Sequence, residues 1–174
     1  QCFESLTNTS NTLMHELGHN LGLRHGGDVN VPNWKPNYNS VMNYRFQFPG
    51  VDYDIGEGPT ACDGVGDQQI DFSAGTRPDL DENAVVEADG VCGGPPSIDW
   101  NNNVVTDPLP YVLDLNIDTN SGVPDGLLQV LEDHDDWGAL DFGGAEAGAG
   151  LRLGPAEVIS DPPVPLEFRN AAGD

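Results

Sequence analysis

Three histidines and a glutamate fall within eleven residues near the start of the sequence, in the order His-Glu-Leu-Gly-His-Asn-Leu-Gly-Leu-Arg-His from His15 to His25. An α-helix advances about 100° per residue, so His15 and His19 lie one turn apart on one face and can bind the same ion. Gly22 allows a sharp turn that returns His25 as a third nitrogen ligand. Three neutral imidazoles and one water make up an open zinc site of the catalytic type.

Glu16 is predicted on the flank of this helix, beside the open coordination position rather than on the metal. Zinc lowers the pKa of its bound water, and Glu16 is placed to accept that proton and pass it to a leaving amine. A purely structural zinc site would close its fourth position with another ligand and would leave Glu16 without a role. The pattern therefore favours zinc-dependent hydrolysis of peptide bonds, with Glu16 as the general base.

The element that positions these residues is a helix predicted over residues 5–23. Apolar side chains recur along it at intervals of four residues, which is typical of one helix face, at Leu13, Leu17 and Leu21, with Met14 beside them. We expect Thr9 or Ser10 to cap its start and Gly22 to end it. Further helical structure is predicted at residues 79–88 and within 127–141, and irregular structure at 26–60 and 97–126.

The same stretch resembles the metzincin metallopeptidases, in which H-E-x-x-H-x-x-G-x-x-H is followed by a methionine-containing turn. The second element stands at residues 40–44, Ser-Val-Met-Asn-Tyr, in a form most similar to the serralysin and astacin branches. The resemblance implies that Met42 forms a hydrophobic base beneath the histidines. It also implies that Tyr44 stands at the zinc, as a ligand or an oxyanion donor, and that Asp28 occupies a position where serralysins have an acid.

This resemblance covers about residues 5–48 and implies an α+β fold. That fold is the lower subdomain of a metzincin-like zincin, with an active-site helix and a Met-turn, rich in loops and with few short strands. Residues 1–142 would form this catalytic subdomain, and residues 143–174 a Gly/Pro-rich linker or tail. The family has a twisted substrate-binding sheet before its zinc helix, whereas only 14 residues precede His15 in this sequence.

The expected substrate is accordingly a protein or peptide, and two alternatives stay open. In the first, the chain is a processed or truncated fragment that is active only with a separate N-terminal chain of the same precursor. In the second, it is an inactive, calcium-stabilised binding module with a vestigial zinc site.

Acidic residues dominate the composition: 29 Asp and Glu stand against 6 Lys and Arg, for a net charge of −23. Such a charge excludes nucleic-acid binding through phosphate neutralisation and docking onto anionic membranes. Two Asp/Asn-rich loops resemble calcium loops of EF-hand type, with candidate ligands Asp99, Asn101, Asn103 and Asp107, and Asp114, Asn116 and Asp118 reaching Asp125. A weaker third set is Asp63, Asp67 and Asp71. A hydrated, halophile-like surface is the alternative explanation of all three.

The three cysteines are Cys2, Cys62 and Cys92, and the preferred pair is Cys62–Cys92, with the partner of Cys2 outside the chain. No apolar run approaches the roughly 18 residues of a membrane span, and no signal peptide is recognised. A processed, secreted protein is therefore expected, with a reduced cytosolic protein as the alternative. His134 is isolated from the motif and is expected to be a surface residue.

Overall fold

A computed structural model describes residues 4–28, 31–53, 62–118 and 121–142. Helix α1 spans Glu4–Asn20, and single helical turns follow at α2, Tyr44–Gln47, and α3, Asp136–Ala139. Strands β1, Leu80–Asp81, and β2, Val130–Leu131, pair antiparallel, with Leu80 opposite Leu131. A short 3₁₀ helix spans Glu87–Asp89. The described chain is therefore a loop-rich mixture of helix and strand with a small two-stranded sheet, which agrees with the predicted α+β class in general terms.

The main apolar core lies directly beneath α1. It consists of the buried residues Leu23, Tyr38, Val41, Met42 and Phe72, with Met14 and Leu140 packed against them. In contrast, Leu13 is 69% exposed and Leu17 is 46% exposed, so two of the leucines that predicted the helix do not pack on the described part of the chain, whereas Met14 does. The buried face of α1 instead carries Asn11, His15 and Gly18.

Two of the local predictions are wrong. Thr9 and Ser10 lie inside α1 rather than at its start, because the helix already begins at Glu4. The helix predicted over residues 79–88 is absent: Leu80 and Asp81 are in β1, and only a 3₁₀ turn follows. A pairing partner fifty residues away in the sequence outweighs the local helix propensity of this segment. The prediction for residues 127–141 is confirmed only at α3.

Two buried carboxylates connect loop segments by accepting hydrogen bonds from their backbone N–H groups. The side chain of Glu82 is fully buried and accepts hydrogen bonds from the backbone N–H groups of Leu115 (2.6 Å), Asn116 (3.3 Å) and Gln129 (3.0 Å). Glu87, also fully buried, accepts one from the N–H of Asp107 at 2.7 Å. Loops that would otherwise lack regular backbone partners thereby satisfy their N–H groups.

The predicted Cys62–Cys92 disulfide is present and joins two loop segments separated by 30 residues in the sequence. Cys2 and the predicted tail at residues 143–174 lie outside the described residues. Within the described residues, no helix is both long and apolar enough to cross a membrane.

Candidate metal centre

The chain reverses at the end of α1 by a local hydrogen-bond pattern. The N–H of Gly22 donates to the carbonyl of His19 (3.1 Å), and that of Leu23 donates to the carbonyl of Gly18 (2.9 Å). This is the Schellman pattern, which needs a left-handed residue, and Gly22 has φ +93°. Leu23 then enters the core, and the following turn presents His25 to the helix, as the spacing of the motif predicted.

The three imidazoles converge through their Nε2 atoms. The separations are 3.1 Å between His15 and His19, 2.9 Å between His19 and His25, and 3.1 Å between His15 and His25. Among the His, Cys, Asp and Glu side chains of the described residues, these three form the group whose ligand atoms lie close enough together to hold one metal ion.

The outer nitrogens of two of these rings settle their tautomers. Nδ1 of His15 lies 2.9 Å from the carbonyl oxygen of Val41, and Nδ1 of His19 lies 3.0 Å from that of Leu23. A carbonyl only accepts, so both Nδ1 atoms carry the proton and, in the neutral rings, both Nε2 atoms carry lone pairs. Two lone pairs 3.1 Å apart repel unless a cation lies between them. The donor set therefore fits a metal ion, with backbone carbonyls orienting its ligands from behind.

A tight turn at Ser40–Asn43 supports the site from below. The N–H of Asn43 donates to the Ser40 carbonyl (3.0 Å), and that of Met42 donates to Ser40 Oγ (3.0 Å). Met42 is fully buried, and a Cβ added to Gly18 would collide with its sulfur. Met42 therefore packs against α1 at the residue directly before His19, and the same turn supplies the Val41 carbonyl that orients His15.

Asp136 anchors this turn to the C-terminal segment. Its buried carboxylate accepts hydrogen bonds from Tyr38 Oη (2.8 Å), Ser40 Oγ (2.5 Å), the N–H of Ser73 (3.1 Å) and His134 Nδ1 (2.8 Å). Burial, together with the charge of Asp136, raises the pKa of Tyr38, so its phenol stays protonated and donates. Asp136 thus fixes Ser40, and through it the turn beneath the histidines.

Tyr44 is buried beside the three rings. Its ring centroid lies 4.4 Å from that of His25 and 5.7 Å from that of His15. Glu16, in contrast, is exposed on α1 next to His15, and Asp28 is exposed at the end of its segment. One side of the three-histidine cluster is therefore closed by Tyr44, and Glu16 is exposed to solvent on the helix that carries His15 and His19.

Three features of the site were not predicted from the sequence: the contact of Gly18 with Met42, the anchoring role of Asp136, and the link of His134 to the site through Asp136. His134 is not isolated: it bonds Asp136, and a Cβ added to Gly27 would collide with it. Asp136 is one of four acidic residues in the run Glu-Asp-His-Asp-Asp, and nothing in that run distinguishes the buried acid from solvated ones. For the close approach of the Ser40–Asn43 turn to α1, the glycine at position 18 was the one available signal.

The predicted calcium ligands fall into different arrangements. In the first loop the amides of Asn101 and Asn103 both donate to Asp107, and Asp99 accepts from the N–H groups of Asn103 and Val104. The weaker set does not assemble, because its three carboxylates bond separate groups: Asp63 the N–H of Val65, Asp67 that of Tyr53, and Asp71 that of Phe72 and the indole of Trp137.

No protein-family model, curated protein or solved structure matches this chain.

Proposed function

We propose that this chain is a zinc-dependent endopeptidase built on a metzincin-like active-site helix and Met-turn. The observation that carries the proposal is the convergence of the His15, His19 and His25 Nε2 atoms within 3.1 Å of one another, with the lone pairs of His15 and His19 directed inward. Zinc favours three neutral imidazoles with an open fourth position.

The role of each residue follows from its place. His15, His19 and His25 would hold the ion, which when bound polarises a carbonyl and acidifies water. Glu16, exposed on the same helix, accepts the proton of the attacking water and returns it to the departing amine. Tyr44, whose ring lies tilted beside that of His25, supports the oxyanion through its phenol. A buried Met42 and the Asp136 anchor keep the ligands in place.

A second candidate is that hydrolysis requires a further N-terminal segment of the same precursor. It is favoured by the exposure of Leu13 and Leu17, two leucines on the very helix that carries the ligands. Singly exposed apolar residues are ordinary, but two adjacent turns of one active-site helix are a natural place for a substrate-binding sheet to pack. The Cys62–Cys92 disulfide supports an extracellular location for either form.

The deciding experiment compares Glu16→Gln with Glu132→Gln, a matched change at an exposed glutamate outside the site. Zinc content is measured together with cleavage of casein. We expect both variants to retain one zinc per chain, and Glu16→Gln alone to lose activity by about 10²–10⁴-fold.

Equal activity of the two variants would contradict the role of Glu16. Zinc binding without cleavage by the unmodified chain would contradict an autonomous peptidase and favour the form that needs a further segment. Absence of zinc from the unmodified chain would overturn both candidates.

A further inference from the structure

The second acidic loop, residues 114–118 and 121–126, brings three oxygen-bearing side chains to one place. The amide Nδ2 of Asn116 donates to Asp125 Oδ2 at 2.9 Å. The N–H of Gly126 donates to Asp114 Oδ2 at 2.7 Å. The third position of the loop therefore contacts its twelfth, and the first position contacts the backbone of the residue directly after the twelfth. A calcium loop of EF-hand type also brings its two ends together at the ion.

Two oxygens at this place accept no hydrogen bond from any described residue. Asn116 is 1% exposed, and its Oδ1 is buried without a partner; Oδ1 of Asp114 is buried in the same state. Leaving a buried acceptor unsatisfied costs about 1–3 kcal/mol. The first acidic loop differs, because its two asparagines are exposed and its carboxylates accept hydrogen bonds from within the loop.

The negative charge of this loop also favours a bound cation. Within the described residues no Lys or Arg pairs with Asp114 or Asp125, and the buried carboxylate of Glu82 clamps the base of the same loop through Leu115 and Gln129. Burial raises the pKa of Glu82, and the charge of Asp114 adds to that shift. Three carboxylates thus lie at one loop without a basic partner, which is costly in the absence of a cation.

We propose that Asp114, Asn116 and Asp125 bind one calcium ion, separate from the three-histidine site. The two unpartnered oxygens would coordinate the ion, and its charge would neutralise part of the negative charge of the loop. Carboxylate and amide oxygens on a flexible loop are the ligands that calcium prefers, whereas magnesium keeps most of its waters and demands a stricter octahedron.

The loop continues into the segment that supports the histidines, which gives the ion a structural role. Gln129, clamped by Glu82, precedes β2, and the carbonyl of Leu131 accepts from the buried Asn37 at 2.8 Å. Five residues further on, Asp136 holds Ser40. Calcium would therefore stabilise one end of the segment whose other end holds the turn beneath the zinc ligands.

The test is a calorimetric titration of the full chain with calcium. The chain is first freed of metals on a chelating resin and then reloaded with one equivalent of zinc. We expect binding of calcium with a dissociation constant on the order of 10⁻⁵–10⁻³ M. Asp114→Asn keeps an oxygen for the Gly126 N–H but loses the charge, and it should weaken binding at least about tenfold. The matched control, Asp99→Asn in the first loop, should leave this binding unchanged.

A second variant, Asn116→Asp, tests the same site without relying on loss of binding. It places two carboxylates side by side, so without calcium its melting temperature should fall, and its calcium-induced rise should exceed that of the unmodified chain. The proposal is overturned if calcium does not bind at about 10 mM, if Asp99→Asn rather than Asp114→Asn abolishes binding, or if Asn116→Asp shows no larger rise. Stabilisation by molar potassium chloride alone would indicate a halophilic surface instead.

Discussion

Gly18 and Met42 are in direct contact: the sulfur of Met42 occupies the space that any Cβ at position 18 would need. Gly18 lies between His15 and His19 on α1, so this contact sets how closely the turn at Ser40–Asn43 approaches the helix. Phe72 closes the same space, 3.0 Å from where a Cβ would lie. Glycine weakens a helix, but at position 18 a residue without a side chain is needed, because any Cβ would keep the Ser40–Asn43 turn away from α1.

Gly18→Ala should therefore weaken zinc binding even though alanine favours the helix by about 1 kcal/mol. The added methyl pushes Met42 and its turn away, and the Val41 carbonyl that orients His15 moves with them. We expect a zinc dissociation constant raised by about tenfold, on the scale of other changes behind metal ligands. Competition with a chromophoric chelator measures it. Met42→Val in the same chain makes room for the methyl and should recover part of the loss; no recovery would contradict the steric explanation.

His19→Ala should abolish stoichiometric zinc binding, because it removes the ligand whose Nε2 lies within 3.1 Å of both other ligands. His134→Ala is the matched control, since it removes the one histidine outside the cluster. Elemental analysis should find close to one zinc in the control and almost none in His19→Ala. If both variants keep the same zinc content, the ion is bound elsewhere.

The part of the site that could be predicted from the sequence is the part made by local structure. The one-turn spacing of His15 and His19 and the left-handed Gly22 need only the helix and its end, and the structure contains both. The helix predicted at residues 79–88 failed for the opposite reason. Leu80 pairs with Leu131, and the carboxylates of Glu82 and Glu87 are buried against distant loops. Local propensity carries no information on such partners.

The sequence also could not predict which single acidic residues are buried. Asp135 and Asp136 are neighbours of the same type, yet Asp135 is exposed and caps α3, whereas Asp136 is fully buried and accepts four hydrogen bonds. Which of them turns inward depends on donors from Tyr38, Ser40 and Ser73, which lie about sixty to a hundred residues earlier.

Asp136→Asn should destabilise the fold well beyond an ordinary loop substitution. An amide can keep some of the four bonds, but its NH₂ group faces donors, and the charge that favoured them is lost. Loss of hydrogen bonds to a buried charged group costs about 1.5–3 kcal/mol each, so we expect a free energy of unfolding lower by at least about 3 kcal/mol. Asp135→Asn, which keeps a capping oxygen, should cost below about 1 kcal/mol. Urea unfolding with zinc present measures both, and equal values would contradict the anchoring role.

The last prediction concerns Lys35, whose burial lowers its pKa to about 8 although the charges of Asp133, Glu132 and Asp136 oppose the shift. Its amine donates to the carbonyl of Glu132 and lies over the ring of Tyr38. In the unfolded chain the pKa returns to 10.5. Between these two values the unfolded chain binds more protons than the folded one, so the free energy of unfolding rises with pH.

From pH 7 to pH 9.5 this contribution amounts to about 2 kcal/mol. The range stays below the titration of Tyr38 and Tyr111, whose pKa values burial raises. Lys35→Met fills the same space without a titrating group and should remove that part of the rise, whatever its effect at pH 7. Urea unfolding of both proteins at fixed zinc concentration measures the two slopes, and processes common to both cancel in their difference. Identical slopes would mean that the Lys35 ammonium is solvated and its pKa unshifted.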